Sequence, residues 1–217
     1  MRPNPMRRLH TLALLLTLPL AITLPARAQF SQPADTPTTF KDTSMIKPPV
    51  GSKVAIWEFE DLECPACAHA APIVRKAVHD YKIAYVHHDF PLPMHIWSFD
   101  AAVNARYFQD KVSPAVAEQY RLAVFAAQNG ISNKDDLHNF TTHFASAHGV
   151  QWPFAIDPQG TLTAKVNADK ALGNRIGLVE TPTIWVVTNH GIYQVRDITK
   201  LYTTIDSAIA FTSGMKY

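Results

Sequence analysis

Apolar and polar positions along the chain follow two rhythms, and the switches between them outline the fold. Residues 53–59, Lys-Val-Ala-Ile-Trp-Glu-Phe, are a short run of β-branched and aromatic side chains behind turn signals, which reads as a strand. From Cys64 to Tyr81 the period becomes helical, with Ile73, Val74, Ala77 and Val78 on one stripe. Pro72 inside this helix is expected to kink it. Residues 82–89 alternate again as a second strand. Strand, helix and strand within about 36 residues make a βαβ unit, whose strands should be parallel.

The next stretch keeps helical spacing for a long way. Ile96, Phe99, Val103 and Tyr107 share one face, and Ser113-Pro114 caps and opens a second helix that ends at Asn129-Gly130. A third runs from Ser132 to Gly149, and a fourth starts at Asp157-Pro158 and reaches about Leu172. A crossover between parallel strands needs only a dozen or so residues. Residues 95–180 are 86, enough for an inserted helical domain. Strand pattern resumes at 183–188, turns at Asn189-His190-Gly191, and returns antiparallel over 192–197. A last helix turns Leu201, Ile205, Ala208 and Ile209 inward.

The N-terminus changes the picture of where the protein works. Arg2, Arg7 and Arg8 precede an apolar run from Thr11 to Leu24, and Ala26-Arg27-Ala28 supplies the small residues of a cleavage site, so residues 1–28 read as a signal peptide. Pro19 and the short run argue against a membrane span. Cleavage after Ala28 places the mature chain in the periplasm, with no cysteine nearby to carry a lipid anchor. It also removes four arginines, leaving 16 Lys and Arg against 18 Asp and Glu. That balance removes the electrostatic footprint of nucleic-acid or anionic-membrane binding. Residues 29–52, rich in Pro, Thr, Ser and Asp, are expected to be a flexible leader with a short strand near 39–41.

The candidate chemistry lies in Trp57-Glu-Phe-Glu-Asp-Leu-Glu-Cys-Pro-Ala-Cys67. It holds both cysteines of the chain. Disulfides persist in an exported protein. One enclosing only Pro65 and Ala66 constrains too little chain to serve as a structural staple. Three positions apart on a helix, the two thiols can join or part with little backbone movement. Cys64 stands at the helix start, where free backbone N–H groups and the dipole favour a thiolate, so it is the expected nucleophile. Cys67, one turn deeper, is the resolving thiol, and Pro65 suits the first turn.

These residues resemble a known family. Glu58 six positions before Cys64, Cys64-Pro65-Ala66-Cys67 opening a helix, Thr181-Pro182 before the next strand, the helical insertion and the stretch Asp89-Phe-Pro-Leu-Pro-Met-His95 are together similar to DsbA-like thiol-disulfide oxidoreductases of the thioredoxin-fold superfamily. The resemblance implies an α/β thioredoxin fold with its core at 53–94 and 181–217 and a helical domain at 95–180 inserted before the cis-proline strand. It implies that Pro182 is cis and packs against the disulfide, and that the backbone of Thr181 pairs with substrate beside Pro65 and Ala66. It makes Glu58 a partly buried carboxylate handling the proton of Cys67; from the residues alone, Glu58 could equally point to solvent. The implied partners are cysteine-containing proteins and a membrane redox protein that reoxidises or reduces the enzyme. No cofactor or metal is expected.

Some features temper this reading. Ala66 offers Cys64 neither charge nor hydrogen bond, and Glu60, Asp61 and Glu63 oppose a thiolate, so the Cys64 pKa is expected below the free value but less depressed than in the most oxidising relatives. A disulfide reductase or isomerase, for instance in cytochrome maturation, a metallochaperone using Cys64, Cys67 and His69 with His87, His88 or His95, and a non-catalytic binding module are the alternatives; cis-Pro182 would obstruct a metal. The short span before Gly51 leaves no room for a dimerisation domain, which favours a monomer.

Overall fold

The computed structural model describes residues 40–214. The chain divides into two units, Met1–Phe30 and Ser31–Tyr217, and the described residues all belong to the second. The expected signal peptide and residues 29–39 of the leader therefore lie outside them. The elements run β1 (Val54–Glu60), α1 (Pro65–Tyr81), β2 (Ala84–Asp89), α2 (Ser98–Lys111), α3 (Pro114–Ala127), α4 (Lys134–Ala147), α5 (Thr161–Ile176), β3 (Thr183–Thr188), β4 (Gly191–Gln194) and α6 (Leu201–Gly214). Their strands form one sheet in the order β2-β1-β3-β4, with β1 parallel to β2 and antiparallel to β3.

Alternation along β1 sorts its side chains onto two faces. Val54 and Ile56 pack with Ile184, Val186, Val74 and Ile205 beneath α1 and α6. Ala55, Trp57 and Phe59 face the other way, onto Trp185, Val187, Phe90 and Ile176. Glu58 and Glu60 continue the first face into a fully buried position. A third cluster joins the start of α1 to α2, α3 and α4 through Trp97, Phe108, Tyr120 and Phe144, and it includes both cysteines.

Several boundaries differ from those the pattern predicts. β2 begins at Ala84 because Lys82 takes a left-handed conformation (φ 52°) that ends α1. α5 begins at Thr161 behind Gly160 (φ 69°), with Asp157 reaching forward to accept from the N–H groups of Leu162 and Thr163. β4 stops at Gln194, since Asp197 leaves the ladder to cap a turn at Thr199. Within the inserted segment, α5 packs both on β2, with Leu172 and Ile176 on the sheet, and on α2, where Leu162 and Val166 meet Ala102 and Val103.

The later part of the supposed leader is packed, not loose. Phe40 meets the edge of Trp185 at 5.2 Å, Ile46 is buried, and the Lys47 carbonyl accepts from Trp57 Nε1 at 2.9 Å. Phe40 and Lys41 form no strand; the Lys41 N–H makes a single bond to the Ile176 carbonyl.

Candidate active site

Cys64 is the N-cap of α1, followed by Pro65 at the first helical position. Its side chain makes no capping bond, which leaves Sγ free for chemistry at the open end of the helix. The sulfur donates to the Thr181 carbonyl at 3.3 Å, 117 residues away in sequence. The Thr181–Pro182 peptide is cis, as the resemblance implies. Pro65 and Ala66 are exposed beside the thiols, whereas both cysteines are buried and reduced.

The two sulfurs have opposite environments. The Cys64 thiol is lowered to about 5, first by a hydrogen bond from Cys67 and then, against partial burial, by the Thr181 hydroxyl and the backbone N–H groups of Cys67 and Ala66. The Thr181 Oγ1 is buried with no other hydrogen-bond partner, so it is available to the thiolate. Cys67 is pushed well above the ordinary value, chiefly by burial, then by Cys64 and by the charge of Glu60. The Asp61 N–H, which reaches Cys67 Sγ at 3.4 Å, opposes this only in part.

The carboxylates beside the motif are turned to other partners. Asp61 Oδ2 accepts from the Leu92 N–H and contacts His95 Nδ1, each at 2.7 Å. Glu63 Oε2 accepts from the N–H groups of Trp97 and Ser98 at 2.7 and 2.9 Å, capping α2 from another element. Glu60 Oε2 accepts from Arg75 Nη2 at 2.9 Å, and its Oε1 lies 2.8 Å from His87 Nε2. The opposition to a thiolate that their sequence position suggests is therefore not what governs Cys64. Asp61 and Glu63 fix the 92–98 loop against the motif instead, leaving Met94 and Ile96 exposed upon it.

Glu58 lies deeper. Its Oε2 accepts from Arg75 Nη1 at 2.7 Å and from the Tyr85 hydroxyl at 2.6 Å, while Oε1 is buried without a partner. Burial raises its pKa to about 7 against the pull of Arg75, and Glu60 adds to the rise. Glu60, although burial works against it too, is held low by Arg75, His87 and Arg121. The two same-face carboxylates thus share one guanidinium unequally. Glu58 keeps a proton that Glu60 gives up, and Glu60 is the carboxylate whose charge acts on Cys67. Beyond them, Asp89 joins Arg121 at 2.5 Å and Arg106 at 2.6 Å, and Arg106 joins Asp169 of α5 at 2.5 Å.

The sequence family described as thioredoxin matches residues 49–207. The chain belongs to the thioredoxin family. Solved structures refine the fold within it. Wolbachia pipientis alpha-DsbA1 aligns with a TM-score of 0.61 at 16% identity over 77% of this chain and 91% of its own. DsbA from Xylella fastidiosa gives 0.59 at 20% over 78% and 92%, and Pseudomonas aeruginosa DsbA2 gives 0.56 at 19% over 76% and 91%. This thioredoxin-family chain therefore has the DsbA-like arrangement with a helical insertion. None of the curated proteins matches its sequence.

Of the residues singled out in sequence, Cys64, Cys67, Pro65, Ala66, Thr181 and Pro182 come together at the start of α1. Glu58 lies beneath the sheet end in the Arg75 network. His69 is exposed, while His87, His88 and His95 sit against Glu60, Asp169 and Asp61. Among the described residues no three His, Cys, Asp or Glu side chains are arranged to hold a metal. Arg75 and the positioning roles of Asp61, Glu63 and Glu60 were not singled out. The acid-rich run before the motif was their only local signal, and their partners lie far along the chain.

Proposed function

We propose that this protein is an exported thiol-disulfide oxidoreductase that donates its Cys64–Cys67 disulfide to cysteine pairs of other extracytoplasmic proteins. The observation that carries this reading is the asymmetry of the two sulfurs. Cys64 is a stabilised thiolate at neutral pH and Cys67 a protonated thiol, so the reduced protein is favoured and its disulfide is readily passed on. In the forward direction a substrate thiolate attacks Cys64 Sγ, the Cys64–Cys67 bond breaks, and Cys67 leaves with the electron pair and takes up a proton. A second substrate thiolate then attacks the substrate sulfur of this mixed disulfide and expels Cys64 as a thiolate. The substrate loses two electrons and two protons, of which one proton remains on Cys67 and one passes to solvent.

The Thr181 backbone beside cis-Pro182 supports pairing with an extended substrate, with Pro65 and Ala66 as the exposed contact beside it. Glu58 acts as the proton reservoir for Cys67 through its partnership with Glu60, because its pKa of about 7 lets it exchange a proton at working pH. A membrane redox protein regenerates the disulfide, and the protein works as a monomer in the periplasm after cleavage behind Ala28. Equilibration of the reduced protein with glutathione tests the direction. A potential near those of strong disulfide donors is expected, whereas one near that of thioredoxin would assign the chain to reduction.

A further inference from the structure

A groove of about 750 Å³ opens beside cis-Pro182 and runs between the end of α5, β4 and the packed N-terminal segment. Its volume is that of a site for a ligand of several groups. The apolar surface comes from Phe40, Leu178, Val179, Pro182 and Val195. Val179 is 83% exposed and adds apolar surface to the groove wall. Only three charged residues line the groove: Lys41, Arg196 and Glu180. Arg196 uses its Nε on the neutral amide of Gln194, at 3.1 Å, and the rest of its fork has no partner among the described residues. Lys41 is exposed, and among the described residues its side chain has no acidic partner. A net positive groove thus sits on a chain whose remaining residues, once the signal peptide is gone, carry more acids than bases.

We infer that this groove takes the extended polypeptide segment flanking a substrate's cysteine and prefers one carrying an Asp or Glu side chain, which Lys41 and Arg196 bind. The inference rests on the oxidoreductase reading above and adds a substrate class to it. Continuity selects the occupant: the Thr181 carbonyl touches Cys64 Sγ and the next residue, Pro182, is already in the groove wall, so a chain joined to Cys64 runs into it. Charge selects its chemistry. The N-terminal segment supplies one wall and one of the two cations, so residues 40 and 41 are specificity-determining, not only packing.

The test uses the mature protein, oxidised, with two short dithiol peptides that differ only in carrying Asp or Lys beside the first cysteine. Exchange with glutathione and with the uncharged dithiol dithiothreitol is measured in parallel. The wild type is expected to favour the Asp peptide by roughly three- to five-fold in kcat/KM at low salt, as two exposed ion pairs allow, with the preference shrinking as salt rises. Lys41→Glu combined with Arg196→Glu is expected to reverse the preference and leave the rate with the uncharged dithiol dithiothreitol unchanged. Equal rates for the two peptides in the wild type, or an Asp preference that survives the double reversal, would overturn the inference. So would removal of residues 29–39 speeding both peptides alike without a charge preference, which would make that segment the occupant. Failure to exchange with glutathione as well would sink the oxidoreductase reading itself, a separate result.

Discussion

At neutral pH Cys64 is almost entirely thiolate, and the groups that hold it so can be removed one at a time. Thr181→Val takes away a hydroxyl that has no other partner while keeping the carbonyl contact. The ultraviolet thiolate titration should move up from about 5 by about one pH unit, the worth of one hydrogen bond to a charged sulfur. Because folding depresses this pKa, the stability it lends the reduced protein is complete above the free-thiol range and disappears as pH falls through about 5. The margin by which the reduced protein melts above the oxidised one should shrink as pH falls over that span, and a margin independent of pH would contradict the assignment. Glu58 works in the opposite sense. Its folded pKa is raised to about 7, so the stability it provides is full at low pH and declines as pH rises from about 4.5 to 7. Glu58→Gln should therefore gain on the wild type by about 3 kcal/mol in denaturant unfolding between pH 5 and pH 8.

Between elements, the decisive contacts are those made by side chains of the loop between β1 and α1. Glu63 accepts from the first two N–H groups of α2, a task usually left to a residue of the helix's own cap. Glu63→Ala should cost about 1–2 kcal/mol in unfolding free energy and speed hydrogen exchange at Trp97 and Ser98 before it does so elsewhere. Much at this scale was legible from the chain: β1, α1, β2 and β3 follow their periods, and the proline beside Cys64 marks the helix start. The roles of Asp61, Glu60 and Glu63 were not, since Leu92, His95, Arg75 and Trp97 meet them only after the chain has folded back. The packing of α5 was hidden for a similar reason. Its apolar spacing is that of any amphipathic helix, and nothing local states that Leu172 and Ile176 cover the sheet while α2 to α4 cover one another.

Across the whole molecule, a chain of buried charges ties the sheet to the helices on both sides of it. It passes from Glu58 through Arg75, Glu60, Arg121, Asp89 and Arg106 to Asp169, touching β1, β2, α1, α2, α3 and α5. Removing one member leaves its partner charged and dry, so Arg121→Met should cost about 3–5 kcal/mol in chemical denaturation. Replacing Arg121 and Asp89 together by apolar residues should recover part of that loss, as expected of a pair whose desolvation offsets its attraction. The same long-range character explains why the lower end of the supposed leader looked formless. Its Pro, Thr and Ser show no period, yet Phe40 and Ile46 are anchored by a sheet face that the local sequence does not reveal.

That anchoring sets the practical boundary of the domain. A recombinant fragment trimmed to the family match, 49–207, would lose Phe40, Ile46 and the carbonyl of Lys47, and at the other end the buried Ala208. Trp185 and Phe59 would then lie beneath an uncovered aromatic patch, a surface that invites self-association.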